Sequence, residues 1–127
     1  MEPIWVDRRD VLAVHDMLLA LHGGMVGLRD EGLLESALAR AQQIWHYGSP
    51  DTIAMATAYT AGIVRNHPFF DGNKRTGFVT GILFLELNGY RFLASEEIAA
   101  QAVLSLAAGQ MDEIGYASFL RAHSVAS

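Results

Sequence analysis

The chain has 127 residues, a net charge of −5 and no cysteine. That fits one domain spanning residues 1–127 and excludes a disulfide framework or a thiolate site. The acidic balance argues against direct nucleic-acid binding, which calls for a basic patch. A hydrophobic content of 51% leaves apolar surface for a partner.

Ile4-Trp5-Val6 reads as a short strand or extended arm. Asp7 then caps a helix from about Arg8 to Leu21, with Val11, Val14, Leu18 and Leu21 at helical spacing, and Gly23-Gly24 stops it. Asp30 caps a second helix whose apolar face carries Leu33, Leu34, Ala37, Leu38, Ala41 and Trp45, ending at Gly48-Ser49-Pro50. Asp51 caps a third, running to about Asn66, that is small or apolar on most sides and therefore buried. A fourth, about Asn73 to Asn88, has the same character. Thr76, Gly77, Thr80 and Gly81 on it allow a neighbour to approach closely. Tyr90-Arg91-Phe92 is extended. Ser95 opens a fifth helix ending near Gly109, and Asp112 opens a last one with Ile114, Tyr116, Phe119 and Leu120 as its apolar positions. The fold class expected is all-α, about six helices, with a central buried helix pair. The longest apolar run, Phe78 to Leu87, is too short for a bilayer and contains Glu86. Glu2 and Asp7 do not fit a secretory signal, so the expectation is a soluble cytoplasmic protein.

The turn of that helix pair is the segment His67-Pro-Phe-Phe-Asp-Gly-Asn-Lys-Arg75. Pro68 disfavours helical angles at His67 and ends the third helix. Gly72 permits a tight turn and close approach of a ligand. The amides that open the next helix have no intrahelical partner and lie at the positive end of its dipole, a ready anion site. Lys74 and Arg75 sit in that first turn, where positive charge disfavours the helix itself, and a polyphosphate resolves the conflict. Asp71 offers a hard oxygen for Mg²⁺, which binds one or two carboxylates plus substrate phosphates. His67 is the nearby side chain suited to take a proton at neutral pH.

This segment resembles the signature of the Fic/Doc family, roughly His-Pro-Phe-x-Asp/Glu-Gly-Asn-x-Arg. Adenylylating Fic enzymes usually continue Gly-Asn-Gly-Arg-x-x-Arg. This chain has Lys74 in place of the glycine and Phe78 in place of the second arginine, and Asn-Lys-Arg-Thr resembles the Doc (death-on-curing) toxin branch. The pattern Gly23-Gly24, then Gly-Leu-Arg-Asp-Glu-Gly and Leu-Leu-Glu-Ser-Ala-Leu, is similar to the Doc-like sequence ahead of the signature. The resemblance implies a toxin of a toxin–antitoxin pair, a protein kinase using ATP and Mg²⁺ on a Ser or Thr hydroxyl of a translation factor, elongation factor Tu. In that scheme His67 is the base and Asp71 the metal ligand. Arg75 stabilises transferred charge, and Gly72, Asn73 and Lys74 hold phosphate. Arg65 either reaches the phosphates or is an ordinary helix C-terminal charge. AMP transfer at the same site, as in Fic adenylyltransferases, is the alternative, and a non-catalytic scaffold is a second. The inhibitory motif Ser/Thr-x-x-x-Glu-Gly/Asn is absent, so a Phd-like antitoxin is expected, folding as an amphipathic helix on an apolar groove near the loop.

Alternative roles are weaker elsewhere. His15, His22, His46 and His123 lack partners at ligand spacing. Asp16 is expected to face solvent. Phe69 is expected to anchor the loop in the core, and Trp5 and Trp45 to pack rather than stack on bases.

Overall fold

The computed structural model describes residues 1–127. Six helices form: α1 (Arg8–His22), α2 (Glu31–Tyr47), α3 (Thr52–Asn66), α4 (Asn73–Leu87), α5 (Glu96–Ala107) and α6 (Glu113–Ala122). Two short strands, β1 (Tyr90–Phe92) and β2 (Ser124–Ala126), pair antiparallel with Arg91 opposite Val125. Every helix boundary lies close to where the caps put it. Asp7, Asp30, Asp51, Ser95 and Asp112 each accept a hydrogen bond from the backbone N–H three residues on, which satisfies one orphan amide of the first turn. At α1 the bond is reciprocal, because Asp10 also accepts from the Asp7 N–H.

α3 is the central element. It is buried from Met55 through Val64 without a break, as its uniform apolar composition requires. α4 lies against it on the stripe Thr76, Gly77, Thr80 and Gly81, all buried. The glycines are needed for this approach. A Cβ at Gly77 would come within 3.1 Å of the Thr60 carbonyl oxygen, and one at Gly81 within 3.0 Å of the Ala56 oxygen and directly onto Thr60 Oγ1. Thr60 Oγ1 donates to the Gly77 oxygen at 2.8 Å, tying the helices together inside the core. On its other side α3 meets α2, where Gly62 faces Ala37. The loop of interest is therefore the turn of the most tightly packed helix pair in the molecule, which gives it a rigid base.

Residues 4–6 form an extended arm rather than a strand. The arm is held by side chains: Val6 N–H donates to the Tyr59 hydroxyl, and that hydroxyl donates to the Val6 oxygen, both at 3.1 Å. Asn88 brackets Ile4 in the same way. Burial pushes the Tyr59 phenol up to about 12, so it stays a neutral donor. Trp5 stacks on Phe84 and meets Trp45 edge-on, so both tryptophans are packing residues.

The expected helical fold of about six helices is the one observed, with one small addition: β2 closes onto β1. A three-residue strand has no periodicity of its own to reveal it, and its hydrogen bonds come from a partner more than thirty residues away. Leu21 and Ile114 are exposed, not core positions; the α1 face is instead completed by His15 between Val11 and Leu18, and the α6 face by Ala117. No helix is long and apolar enough to cross a membrane.

Candidate active site

The α3–α4 turn begins with an unusual backbone. His67 is the C-cap of α3 at φ 53°, ψ 54°, the one non-glycine residue with positive φ. Pro68 was expected to move His67 out of the helical region. It does, but into the left-handed basin rather than an extended one, at a cost of about 1–2 kcal/mol for a side-chain-bearing residue. Arg29 secures this conformation. Its Nε donates to the His67 oxygen at 2.8 Å and its Nη2 to the Asn66 oxygen at 3.1 Å. The α1–α2 connection then runs antiparallel beside the loop. Leu28 pairs with Phe69, Phe70 N–H donates to the Gly27 oxygen, and the Arg29 and Asp30 amides both donate to the Pro68 oxygen.

Phe69 is buried, as an anchor should be. It is clamped from two sides. Asn73 Oδ1 accepts from the Phe69 N–H and Asn73 Nδ2 donates to the Phe69 oxygen, both at 2.9 Å. On the far face the His15 ring stacks on Phe69, and His15 Nε2 meets the Asp71 oxygen at 2.8 Å. Asp71 Oδ2 accepts from the Met25 N–H at 2.8 Å.

These anchors leave His67, Asp71, Lys74 and Arg75 exposed on one short stretch of chain. The α4 N-terminus differs from the other five in its cap. Its N-cap is Gly72 at φ 80° and no side chain caps it; its first turn, like that of α3, carries no acidic residue. The ion pairs of the chain involve Arg8, Arg9, Arg40, Arg65 and Arg121, so neither Lys74 nor Arg75 is neutralised by a carboxylate. Open amides, dipole and two free cations together make this end attractive to a polyanion. Asp71, one residue before the cap, brings a carboxylate with Oδ2 engaged and Oδ1 available. No cluster of three or more His, Asp or Glu side chains gathers anywhere. A metal here would have one protein ligand and take the rest from phosphate and water, which is the habit of Mg²⁺. The donor set fits a Mg²⁺–nucleotide.

One site expectation changes, and Arg65 takes the structural one of its two readings. The Asn73 side chain is not directed to phosphate: it is buried, and both ends are occupied by Phe69, so it shapes the loop. Only its backbone amide remains with the anion site. Arg65 points away. Its Nη1 pairs with Glu113 Oε2 at 2.7 Å, an oxygen shared with Arg40 from α2, so it links α2, α3 and α6. The sequence reading missed His15 and Arg29 as loop supports. His15 had a signal, because it falls in register with Val11 and Leu18 on the buried stripe of α1. Arg29 had none beyond its place in the Gly-Leu-Arg-Asp-Glu-Gly stretch, since its contacts span 37 and 38 residues.

Comparison with known proteins identifies the family. Residues 5–85 match the model of the Fic/DOC family. The chain is 30% identical over 117 residues to the protein kinase Doc of Escherichia phage P1, covering 91% of this chain and 92% of that protein. It is 36% identical over 97 residues to toxin Doc of Mycolicibacterium smegmatis, covering 74% and 72% respectively. The family match, which spans the loop, and the similarity to a Doc protein over 91% of the chain place this chain in the Fic/Doc family, in its Doc branch.

Proposed function

We propose that this protein is the toxin of a toxin–antitoxin pair and acts as a protein kinase, transferring the γ-phosphate of ATP to a Ser or Thr hydroxyl. The observation that carries the reading is the uncapped α4 N-terminus, with Lys74 and Arg75 unpaired beside exposed His67 and Asp71. The amides of the first turn, Lys74 and Arg75 hold phosphate oxygens and stabilise the charge that develops on them during transfer. His67 takes the proton of the attacking hydroxyl. The hydroxyl oxygen forms its bond to the γ-phosphorus as the bridging oxygen bond to ADP breaks. Asp71 is the residue that would hold Mg²⁺, whose role when bound is to neutralise charge between adjacent phosphate groups. The target implied by the resemblance is elongation factor Tu.

Transfer of the terminal phosphate rather than AMP is favoured by the residue that replaces the second arginine. Phe78 packs edge-on against Phe92, 5.7 Å between centroids, and offers no charge to outer phosphates. Lys74 adds a cation where the adenylylating sequence has glycine.

A Phd-like antitoxin is the proposed partner. Met25, Val26 and Phe70 are exposed beside the loop, and Met17 and Leu21 are exposed on the last turns of α1 that lead into it. An amphipathic helix laid there would cover apolar surface and obstruct His67 together.

Parallel reactions with γ- and α-labelled ATP test the reading. Label on a protein target is expected from the γ-position alone, and His67→Ala is expected to lower transfer by roughly 10²–10⁴. Label from the α-position alone rejects the kinase and supports AMP transfer.

A further inference from the structure

Beneath the loop lies a histidine that the proposed chemistry does not use. His15 is 3% exposed, so it meets neither substrate nor solvent. Its ring lies flat on Phe69, with centroids 3.8 Å apart and planes 10° from parallel. Its Nε2 is 2.8 Å from the Asp71 carbonyl oxygen. A carbonyl only accepts, so Nε2 carries the proton and donates. The same ring edge lies under Gly72, where a Cβ would come to 3.6 Å from Nε2 and Cδ2. One imidazole thus touches three of the four residues that lead into α4.

Asp71 is consequently fixed at two points. Its main-chain oxygen is held by His15, and its Oδ2 by the Met25 N–H from the α1–α2 connection. Oδ1 accepts no hydrogen bond and is open to a ligand. We infer that His15 is a positioning residue for the metal: by holding the Asp71 backbone from below, it pre-sets the carboxylate offered to a phosphate-bound divalent cation. This rests on the reading of Asp71 as the Mg²⁺ ligand. Partners that hold a ligating carboxylate without touching the metal typically change metal affinity by about 10–100-fold when removed. The competing account makes His15 a filler of the Val11–Leu18 stripe, its hydrogen bond incidental.

Two substitutions separate the accounts. His15→Phe keeps an aromatic stack, with a somewhat larger ring, but loses the donor. His15→Gln keeps an N–H donor and loses the stack. Binding of the non-hydrolysable nucleotide AMP-PNP is measured by calorimetry with Mg²⁺ and with EDTA, so that the ratio isolates the metal's share. In the nucleotide-free proteins, hydrogen exchange is followed at amides 70–72. His15→Phe is expected to reduce the Mg²⁺-dependent tightening by about 10–100-fold, to leave binding in EDTA within about 2-fold, and to speed exchange of those amides. His15→Gln is expected to stay within a few-fold of wild type in the metal-dependent part. Where His15→Phe does not fold, His15→Leu takes its place. Wild-type tightening and wild-type exchange in the donor-less variant would overturn the inference, as would a Gln variant as impaired as Phe. A wild-type protein whose AMP-PNP binding ignores Mg²⁺ overturns the reading of Asp71 itself. In that event, faster exchange in His15→Phe still registers the loop contact.

Discussion

Asn73→Ala separates two accounts of the loop. If the Asn73 amide served phosphate, its loss would weaken activity and leave the unliganded protein as stable as before. The structure gives the opposite emphasis. Asn73 is 4% exposed and makes two bonds at 2.9 Å to the backbone of Phe69, itself buried. Truncation leaves one N–H and one C=O without partners, and an unsatisfied buried group costs about 1–3 kcal/mol. Alanine is the better helix former by a few tenths of a kcal/mol, which offsets little. The expected loss is roughly 2–4 kcal/mol. With an unfolding entropy near 2.1 cal/mol/K per residue, a chain of 127 residues has about 0.27 kcal/mol/K, so the melting temperature should fall by roughly 7–15 °C. Asn73→Asp should also destabilise, since a carboxylate would face the Phe69 oxygen. Thermal unfolding of the nucleotide-free protein is the assay. A variant that melts within about 2 °C of wild type yet has lost activity would refute the structural role and return Asn73 to the phosphate site.

Gly81→Ala should destabilise by roughly 1–3 kcal/mol although alanine favours helix, because its methyl group must push α4 off Thr60 and the Ala56 oxygen. Gly115→Ala, whose Cβ would meet the Met111 side chain at 3.0 Å and the Asp112 cap oxygen at 3.3 Å but no backbone atom, is the control and should cost less; equal melting of the two variants would reject the close-packing argument. Acid stability should depend on the Asp51–Arg121 pair. Burial pushes the Asp51 carboxyl up, but the hydrogen bonds from Arg121 and the Ala54 N–H outweigh it and hold the group below its ordinary 3.8. A carboxyl lowered in the folded state adds stability above its unfolded pKa and loses it as pH falls through the folded one. Arg121→Gln should therefore move the acid-unfolding midpoint to higher pH, followed by circular dichroism, with little change at pH 7, where an exposed pair contributes about 0–1 kcal/mol. An unmoved acid midpoint contradicts this.

The helices were legible because their start signals are local. Asp7, Asp30, Asp51, Ser95 and Asp112 each act three residues away, within one turn, so sequence order and spatial contact coincide. The buried α3–α4 pair was legible for a related reason: a helix apolar all round has only one place to go. What was hidden depends on contacts between distant segments. β2 acquires its hydrogen bonds from β1. Arg29 finds its carbonyls 37 and 38 residues on. His15 meets Asp71 at a separation of 56. Such partners are chosen by the packed fold, and no window of residues displays them.

The same distinction explains why Asn73 serves the loop and why Arg65 takes its structural reading. Composition identified a loop rich in groups that bind phosphate, but a chain that must hold such a loop still also needs polar groups to hold it. Asn73 and Arg65 have the right chemistry for an anion and different surroundings. Asn73 is the first residue of α4 and faces the buried Phe69 backbone, where one amide satisfies an N–H and a C=O together. Arg65 precedes the loop on the last turn of α3, where Glu113 of α6 already accepts from Arg40. Lys74 and Arg75 have no such claimant. Arg29 also lacks a carboxylate, but its Nε and Nη2 are spent on the His67 and Asn66 oxygens, and Arg91 lies outside the loop on β1. The cations left for a ligand at the loop are thus the ones that neither a carboxylate nor a carbonyl has claimed after the scaffold has taken its share.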